Sequence, residues 1–456
     1  MAQQGERFAS GFGFVLATIG SAVGLGSIWK FPYEVGENGG GGFLLFYLLG
    51  LALVVLPLLL AEFVIGRRGR GDAAQSLRAV ATEVQRSPAW RWIGTAGIVT
   101  GFLILTYYAV IAGMTMAYVP HALIQGFGGS DAARSAADFA ALTGSPVALG
   151  LWQAAFLAIT VAVVARGIRQ GVETACTILM PVLAVLMLAL MLYAMVEGDL
   201  ARAFGFLFLP HWEAISPRAA LDALGLGFFS IGVGMGVMIT YAAYAGESFD
   251  LTRAAVTTLA GDTAISLMAG IAIFPIVFAE GLDPAGGANL MFLTLPIAFG
   301  DLPFGDLVGA AFFLLLFVAG LASAISLVEV VAAPVMRATG LSRPKAAILI
   351  GIAAWVGGLP SMLSFNLWSG MRPLAWLGFD NLNLFDAVDG ITSNALLPLC
   401  GLALSVFAGW CLPASLYEAE LSRAAQRLTS ALRLLLRWVA PAIIVAYVIA
   451  AQLARG

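Results

Sequence analysis

The sequence predicts an all-α integral membrane protein with eleven transmembrane helices, arranged as a five-plus-five inverted repeat followed by one further helix. Of the 456 residues, 61% are apolar and 11% are charged, whereas soluble proteins carry about 25% charged residues. Eleven apolar runs recur along the chain, and clusters of glycine interrupt the first and the sixth of them. Together these observations indicate the fold class and the places where its helices are broken.

A helix needs about 20 apolar residues to cross ~30 Å of hydrocarbon, and the runs are long enough to do so. They are Phe8–Trp29, Asn38–Ala61, Trp92–Ser130, Phe139–Ala165, Thr174–Val196, Ala223–Gly246, Arg253–Ala279, Leu307–Val328, Ala346–Met371, Gly390–Tyr417 and Trp438–Ala454. The shorter uncharged stretch 284–300 contains proline and paired glycines, and we expect a loop there. One membrane domain, 1–456, is predicted, with repeats at 8–196 and 221–413 and helix 11 at 433–454.

Other kinds of chemistry have little support in the sequence. Cys176, Cys400 and Cys411 lie inside apolar runs, so neither a disulfide framework nor a metal cluster is indicated. There is no nucleophile–base pattern and no nucleotide-binding loop, so we expect neither an enzyme nor a nucleic-acid partner. No obligatory protein partner is indicated. The first apolar run is too long for a cleavable signal peptide.

Basic residues predict the orientation in the bilayer. They concentrate in the loops after the second, fourth, eighth and tenth spans. This set is Arg67, Arg68, Arg70, Arg78, Arg86, Arg91, Arg166, Arg169, Arg337, Arg343, Lys345, Arg423, Arg427, Arg433 and Arg437. By the positive-inside rule the N-terminus is cytoplasmic and the C-terminus lies outside. We therefore expect a multi-pass protein of the bacterial inner membrane, with the lipid bilayer as its surroundings.

The two glycine clusters occupy corresponding places in the two halves of the chain. They lie at Gly20–Ser27 in span one and at Gly232–Gly236 in span six, and each span opens a block of five. Close helix packing would explain either cluster by itself, but a matched pair of interrupted helices is typical of a transporter's binding site. An unwound turn offers N–H groups to a carboxylate and carbonyl oxygens to a cation. That combination suits a zwitterion together with Na⁺.

Several motifs resemble those of the neurotransmitter:sodium symporter family. They are Gly20-Ser-Ala-Val-Gly-Leu-Gly-Ser-Ile-Trp-Lys-Phe-Pro-Tyr33, Glu37-Asn-Gly-Gly-Gly-Gly-Phe43, Glu62-x-x-x-Gly-Arg67, Tyr107-Tyr108, Phe228-Phe-Ser230, Thr240-Tyr-x-x-Tyr244, Ala319-Gly-Leu-Ala-Ser-Ala-Ile325 and Asp386-x-x-Asp-x-x-Thr-Ser-Asn394. The matches keep the family order over almost the whole chain. The resemblance implies the leucine-transporter fold and a secondary carrier that moves a small amino acid with one or two Na⁺.

The resemblance also implies a substrate site. The substrate carboxylate would meet the backbone of Leu25 and Gly26 and the hydroxyl of Tyr108. Its amine would meet the carbonyls of Ala22, Phe229 and Ser230. Its side chain would meet Ile104, Phe229, Gly232, Met235, Ser323, Ala324 and Leu327.

Gly24 belongs to the implied substrate site as well, and together with Gly232 and Met235 it indicates the substrate class. Gly24 stands where amine carriers of the family have an aspartate, and an acid there would repel a carboxylate, so an amino acid is expected. Gly232 makes room in the pocket, and the thioether of Met235 adapts to different shapes. A hydrophobic or aromatic side chain is therefore predicted.

Two sodium sites are implied by the same resemblance. Site 1 would consist of Ala22, Ser27, Ser230 and Asp262. Site 2 would consist of Gly20, Val23, Ala319 and Ser323. Ser27 replaces an asparagine and Ala322 replaces a threonine, so the number of ions stays open. Proton coupling through Asp262 or Glu62 is the alternative to sodium coupling.

Chloride and the gates complete the comparison with the family. Leu226 stands at the glutamine position of the chloride site, and Asp262 lies one helical turn from Ser266, so its fixed charge would substitute for chloride. No chloride requirement is expected.

The gate positions depart from the family pattern. The outer gate would consist of Lys30 and Asp389, with Tyr108 and Phe229 closing the site, and Glu34 is a second possible partner for Lys30. At the inner gate Gly5 and Arg337 stand at the positions of the family's arginine and aspartate, so the gate is rearranged. Either Glu6 and Arg337 form a reversed pair, or both are solvated surface charges. The spacing of Gly171 and Pro181 is typical of a hinge in span five. A channel or sensor on the same fold would require a continuous polar stripe, and the sequence has none.

Overall fold

Helices build almost all of the chain that the structure describes. The computed structural model describes residues 7–210, 212–285 and 290–453. Within these ranges there is no β-strand, and the one isolated bridge joins Gly40 to Pro210. The all-α prediction is confirmed.

The described residues form twenty-two α-helices, ten of them in the first half of the chain. They are α1 (Gly11–Ala22), α2 (Phe31–Glu37), α3 (Gly41–Gly50), α4 (Leu56–Gly69), α5 (Ala73–Glu83), α6 (Arg91–Ile124), α7 (Ala132–Thr143), α8 (Pro146–Val164), α9 (Thr174–Glu197) and α10 (Leu200–Phe208). Wider π-helical turns occupy Gly26–Lys30, Leu51–Val55 and Ile168–Glu173, and a 3₁₀ turn occupies Pro88–Trp90.

The second half contains twelve more. They are α11 (Pro217–Ile231), α12 (Val237–Ala243), α13 (Leu251–Ala279), α14 (Thr294–Asp301), α15 (Gly305–Thr339), α16 (Arg343–Leu363), α17 (Leu384–Ile391), α18 (Leu397–Val406), α19 (Ala414–Glu420), α20 (Arg423–Gln426), α21 (Thr429–Leu434) and α22 (Ala440–Leu453). Further π-helical turns lie at Thr392–Leu396, Phe407–Cys411 and Leu435–Val439, and 3₁₀ turns lie at Trp212–Ala214 and Ala375–Leu377.

Serine and proline start two of these helices in the same way. Ser145 accepts a hydrogen bond from the Ala148 N–H, and Ser216 accepts one from the Ala219 N–H. A proline follows each serine at the first helical position, where its missing N–H is not needed. The cap separates α7 from α8, so the predicted run Phe139–Ala165 is not one helix.

Within the described ranges nine helical stretches are long and apolar enough to cross a bilayer. Predicted span one is a bent pair, Gly11–Ala22 and Gly26–Glu37, with 52° between its halves. Predicted span six consists of α11 and α12, with five residues between them. The transmembrane fold class and both predicted breaks are confirmed. The number eleven, which counts each broken pair as one span, stays a prediction, as do the repeat boundaries.

One predicted loop is partly helical. The stretch 284–300 was expected to lack regular structure, but α14 begins at Thr294 and packs against α7 and α15. Leu295, Ala298 and Phe299 are buried there. The prediction of a loop over the whole stretch is wrong because these apolar residues share one helical face. Residues 286–289 lie outside the described ranges.

The broken first span lies at the centre of the bundle. α1 packs against α9, α13 and α15, and α15 runs along most of α6. α9 and α22 expose many apolar side chains, among them Val185 and Ile449, and these face lipid. The first helix break is therefore enclosed by other helices.

A buried carboxylate holds the first turn of α1. Glu173, in the π-helical turn of the predicted span-five hinge, accepts hydrogen bonds from the Ala9 N–H at 2.7 Å and the Ser10 N–H at 3.2 Å. An acid is favoured here because the first N–H groups of a helix have no partner within it. A Cβ on Gly13 would lie 2.0 Å from Glu173 Oε1, so glycine is required for the approach.

We expect Glu173→Gln to lower the free energy of unfolding by about 1–2 kcal/mol, since it weakens a charged cap. Thermal unfolding of the purified, detergent-solubilised protein measures this. Glu197→Gln, at the exposed end of α9, is the matched control and should melt like the unmodified protein. Equal melting temperatures for the two variants would contradict the capping role.

Candidate functional site

The two helix breaks expose backbone groups at mid-bundle. α1 ends at Ala22, and Val23 is extended, with φ −71° and ψ 104°. In the second break Gly232, Gly234 and Gly236 have φ values of +72°, +92° and +77°. Residues other than glycine rarely adopt such positive φ values. The second glycine cluster is therefore explained by its backbone conformation.

Glu62 partners one N–H group that the second break frees. This α4 side chain is fully buried, and its Oε1 accepts from the Gly234 N–H at 2.9 Å. Its other oxygen, Oε2, has no hydrogen-bond partner within the described ranges. The second break is thus anchored to α4 by one carboxyl oxygen.

A small cavity of roughly 30 Å³ lies between the breaks. It is lined by Ser21, Ala22, Gly24, Gly26, Ile104, Tyr108, Phe229, Ser230, Gly232, Met235, Ser323, Ser326 and Leu327. Of the substrate residues predicted from the sequence, all but Leu25 and Ala324 line it. The Leu25 N–H nevertheless faces this region, because it donates to the Tyr108 hydroxyl at 3.2 Å.

Sequence reasoning missed two residues of the lining. Ser21 Oγ donates to Ser326 Oγ at 2.9 Å, and Ser326 Oγ in turn donates to the Ser323 carbonyl at 2.7 Å. Ser326 lies one turn after Ser323 on α15, so helical periodicity would have found it.

Gly24 and Gly26 allow the surrounding helices to approach the first break. A Cβ on Gly24 would lie 2.4 Å from Ser323 Oγ and 2.9 Å from the Tyr108 hydroxyl. A Cβ on Gly26 would lie 3.0 Å from the Phe229 ring. No larger residue fits at position 24 unless Ser323 moves.

The sequence predicts open space for substrate beside Gly232, but in the structure that space is filled. A Cβ there would lie 2.4 Å from the terminal methyl carbon of Met235, so the methionine fills that space. The left-handed backbone at Gly232 independently favours glycine. Pocket size at this point therefore depends on Met235, whose three rotatable bonds let it move aside.

Asp262 is the centre of a buried cluster of hydroxyl groups. Ser27 donates to its Oδ1 at 2.5 Å, Ser230 donates to its Oδ2 at 2.8 Å, and Tyr47 donates to Oδ2 at 3.3 Å. The hydroxyls of Ser27 and Ser230 are 3.1 Å apart. Three donors offset the cost of burying a carboxylate. The side chains of predicted sodium site 1 are thus in direct contact, and Ala22 lines the adjacent cavity.

Ser266 adds an oxygen on the same helix as Asp262. Its Oγ is buried and has no hydrogen-bond partner in the described part of the chain. Leu226, at the position of the family's chloride-binding glutamine, is 4% exposed and supplies no polar group.

Backbone carbonyls converge at predicted sodium site 2. Ser323 Oγ lies 3.4 Å from the Gly20 oxygen, 3.3 Å from the Ser21 oxygen and 3.2 Å from the Val23 oxygen. Ala319, one turn earlier on α15, is fully buried. A hydroxyl can donate to one of these carbonyls at a time, so the others have oxygen lone pairs left for a cation.

The predicted outer gate residues share a vestibule but do not pair. This vestibule has a volume of roughly 480 Å³, and both Lys30 and Asp389 line it. Lys30 Nζ lies 4.5 Å from the centre of the Phe229 ring, a cation–π contact. Asp389 instead accepts from Tyr107 at 2.9 Å and from Ser393 at 2.8 Å. The expected Lys30–Asp389 bridge is absent among the described residues because each group has another partner.

Glu34 does not hold Lys30 either. Its two oxygens accept from the Tyr33 hydroxyl at 3.0 Å and from the Asn38 side-chain amide at 3.3 Å. Phe229 lines both the vestibule and the small cavity. Phe229 therefore lies between the two spaces and borders both of them.

Ion pairs close the opposite end of the bundle. Arg337 pairs with Asp72, and Arg343 pairs with Glu329 at 2.5 Å. Tyr244 also donates to Glu329, at 3.0 Å. The predicted partner of Arg337, Glu6, lies outside the described residues. The structure assigns Asp72 as a partner because the start of α5 lies beside the end of α15.

The described ranges hold no cluster of side chains typical of a transition-metal site. They contain no group of three or more histidine, cysteine, aspartate or glutamate side chains that could hold a metal ion. The oxygen-rich pockets of serine hydroxyls, carbonyls and one carboxylate suit a hard monovalent cation better than a transition metal.

Known proteins resemble this chain over nearly its full length. Residues 5–130 and 146–452 match the model of the sodium:neurotransmitter symporter family. An uncharacterized sodium-dependent transporter, YhdH of Bacillus subtilis (strain 168), is 35% identical over 419 residues, which cover 92% of this chain and 90% of the relative. A sodium-dependent transporter of Methanocaldococcus jannaschii is 32% identical, with 89% of this chain and 82% of the relative covered.

A solved structure is similar as well. The crystal structure of MhsT in complex with L-phenylalanine has a TM-score of 0.89 and 40% sequence identity. The match covers 98% of this chain and 99% of that one.

Proposed function

The chain belongs to the sodium:neurotransmitter symporter family, and on this premise we propose that it imports a zwitterionic L-amino acid with a hydrophobic or aromatic side chain. Its relatives are sodium-dependent transporters, so it is a sodium-dependent membrane transporter. The observation that carries the proposal is the cavity between the two helix breaks, where Tyr108 and free backbone groups meet Ser323 and Phe229.

The preference for an amino acid over an amine is argued from Gly24, where there is no acidic side chain and no room for one. The Tyr108 hydroxyl, which accepts from the Leu25 N–H at the start of a π-helical turn, has its own proton left to donate to a carboxylate. An aspartate at position 24, which would favour an amine, would collide with Ser323 and Tyr108. The similar MhsT structure contains L-phenylalanine, which supports a large apolar substrate. Met235 would have to move aside to admit such a side chain.

Sodium coupling rests on two oxygen clusters beside this cavity. Ser27, Ser230 and Asp262 would form one ion site with the Ala22 carbonyl and the substrate carboxylate. The Gly20, Val23 and Ala319 carbonyls and Ser323 would form the other. Because Ala22 and Ser323 line the cavity themselves, an ion bound at either site would stabilise the substrate-bound state.

Chloride independence rests on the surroundings of Asp262. Its carboxylate occupies the space between Tyr47 and Ser230, two hydroxyl groups that the family's chloride site shares. A permanent negative charge there would perform the role of a bound anion, and Leu226 offers no replacement ligand.

Transport would proceed by alternating access. Phe229 separates the cavity from the vestibule, whereas ion pairs and several helix ends close the other side. With the arginine-rich loops in the cytoplasm, the vestibule would face outward, and movement of the Phe229 ring would admit substrate.

Proton coupling is a second candidate, and Glu62 is the observation that favours it. A fully buried carboxyl oxygen without a donor, Oε2, is a place where a proton is expected. Uptake driven by a pH gradient in the absence of Na⁺ would support this candidate over the first.

Uptake by the purified protein in proteoliposomes tests the proposal. We expect accumulation of phenylalanine, leucine or tryptophan when a Na⁺ gradient points inward, and none when choline replaces Na⁺. Competition among the twenty amino acids then ranks the side chains. Uptake that is independent of Na⁺, or limited to amines without a carboxylate, would overturn the proposal.

We expect Tyr108→Phe to weaken amino-acid binding by about 1–3 kcal/mol, because it removes a hydrogen bond to a charged group. This corresponds to a roughly 5- to 150-fold rise in Kd, measured by equilibrium binding in Na⁺. Tyr193→Phe is the control, since the Tyr193 hydroxyl donates to the Pro303 carbonyl and does not line the cavity. Unchanged affinity in Tyr108→Phe would show that the substrate carboxylate binds elsewhere.

We expect wild-type uptake to be the same in chloride and in gluconate, and Asp262→Asn to lose uptake, because the amide removes the fixed charge. Asp301→Asn, at the exposed end of α14, should transport normally. Weaker Na⁺ affinity in Asp262→Asn without any anion response would assign Asp262 to sodium alone. Chloride-stimulated uptake by the wild type would exclude the substitution of chloride.

A further inference from the structure

A second, larger cavity lies away from the transport site, at the arginine-rich end of the bundle. It has a volume of roughly 570 Å³ and is bounded by the end of α4, the end of α5, the turn after α18, α19 and the start of the last span. The residues that matter in it are Arg68, Arg86, Trp410, Cys411, Leu416 and Arg433. None of them belongs to the substrate or sodium sites.

The carboxylates in this cavity are already neutralised. Glu83 accepts from Arg68 Nε at 3.0 Å and from its Nη2 at 2.6 Å. Glu420 accepts from Arg67 Nε at 2.6 Å. Both acids of the lining are thus held by the two arginines at the end of α4, and neither is free to neutralise a further cation.

Two guanidinium groups of the lining have no acidic partner among the residues that the structure describes. Arg86 is exposed and forms no ion pair there. Arg433 contacts only the Leu412 carbonyl, at 3.3 Å, and its buried Nε has no hydrogen-bond partner. Arg437 lies one turn further on and donates to the Gly409 carbonyl at 2.5 Å. The cavity is therefore lined by two guanidinium groups whose positive charge no acidic side chain of the described residues neutralises.

One wall of the cavity continues onto the lipid-facing surface. Trp410 is 51% exposed, and its ring centre lies 5.1 Å from that of Trp438, which is 62% exposed. Leu434 beside them is 57% exposed. Tryptophan at the end of a span is typical of the headgroup region of a bilayer, so the cavity opens where headgroups meet acyl chains.

We propose that this cavity binds the headgroup of an anionic phospholipid. Arg86 and Arg433 bind the phosphate, and the acyl chains lie along Trp410 and Leu434. Guanidinium groups suit this role because their planar array of donors matches phosphate oxygens. The apolar wall favours a lipid over a free phosphate ion, and clustered arginines at this end of the bundle attract the anionic lipids of the cytoplasmic leaflet.

The test uses the full-length protein and two defined lipids. Native mass spectrometry counts phosphatidylglycerol and phosphatidylcholine retained by the wild type, by Arg86→Gln and by Arg433→Gln. Arg78→Gln is the control because it removes a positive charge from the neighbouring helix α5 but lies outside the cavity. We expect each cavity variant to lose phosphatidylglycerol by about fivefold, with no change for the control or for phosphatidylcholine.

Cys411 gives a second readout that needs no substitution. Its side chain lines the cavity, whereas Cys176 and Cys400 are buried. We expect its reaction with a thiol reagent to slow when phosphatidylglycerol is added and to be unaffected by inorganic phosphate or phosphatidylcholine. If inorganic phosphate protects Cys411 equally well, the ligand of the cavity is a free anion and the lipid proposal is wrong. Equal retention or protection with phosphatidylcholine, or no protection at all, would overturn the proposal.

Discussion

The constraint on which this structure depends is that a membrane offers no water to backbone groups that leave a helix. Two spans break at mid-bundle, and each freed group must find a partner in the protein or a ligand. Gly234 donates to Glu62, Leu25 donates to Tyr108, and the carbonyls around Val23 face Ser323. The partners come from α4, α6 and α15, which explains why these helices enclose the breaks. The proposed binding site therefore consists of the same backbone and side-chain atoms that satisfy the broken helices.

The positions of the breaks could be predicted because their cause is local. Left-handed backbone at Gly232, Gly234 and Gly236 requires residues without a Cβ, and such residues are visible in any sequence. Long apolar runs predict spans for an equally local reason. Most of the cavity lining could also be predicted, because the motifs resemble those of the family and the resemblance implies which residues form its substrate site. α14 was missed because a helix of eight residues in a loop has too little periodicity to stand out.

Contacts between side chains could not be predicted in the same way, because several partners compete for each group. Lys30 lies on the Phe229 ring, and Asp389 is held by Tyr107 and Ser393, although the sequence suggested that they pair with each other. Met235 fills the space beside Gly232 through the rotation of its own side chain. Nor did the spacing of Arg337 and Asp72 indicate that they meet. Such outcomes depend on rotamers and distances that only the folded arrangement determines.

The single aromatic ring between cavity and vestibule has a kinetic consequence. A side chain changes rotamer in picoseconds to nanoseconds when it has room, whereas collective helix movements take microseconds to milliseconds. In the proposed cycle Phe229 would form the barrier on the vestibule side, while the ion pairs Arg337–Asp72 and Arg343–Glu329 and whole helices would form it on the other. Solutes would thus equilibrate with the vestibule many times during one complete cycle. The slow opening on the side of the ion pairs would limit turnover. Substrate binding in the cavity would therefore reach equilibrium with the vestibule before each opening on that side.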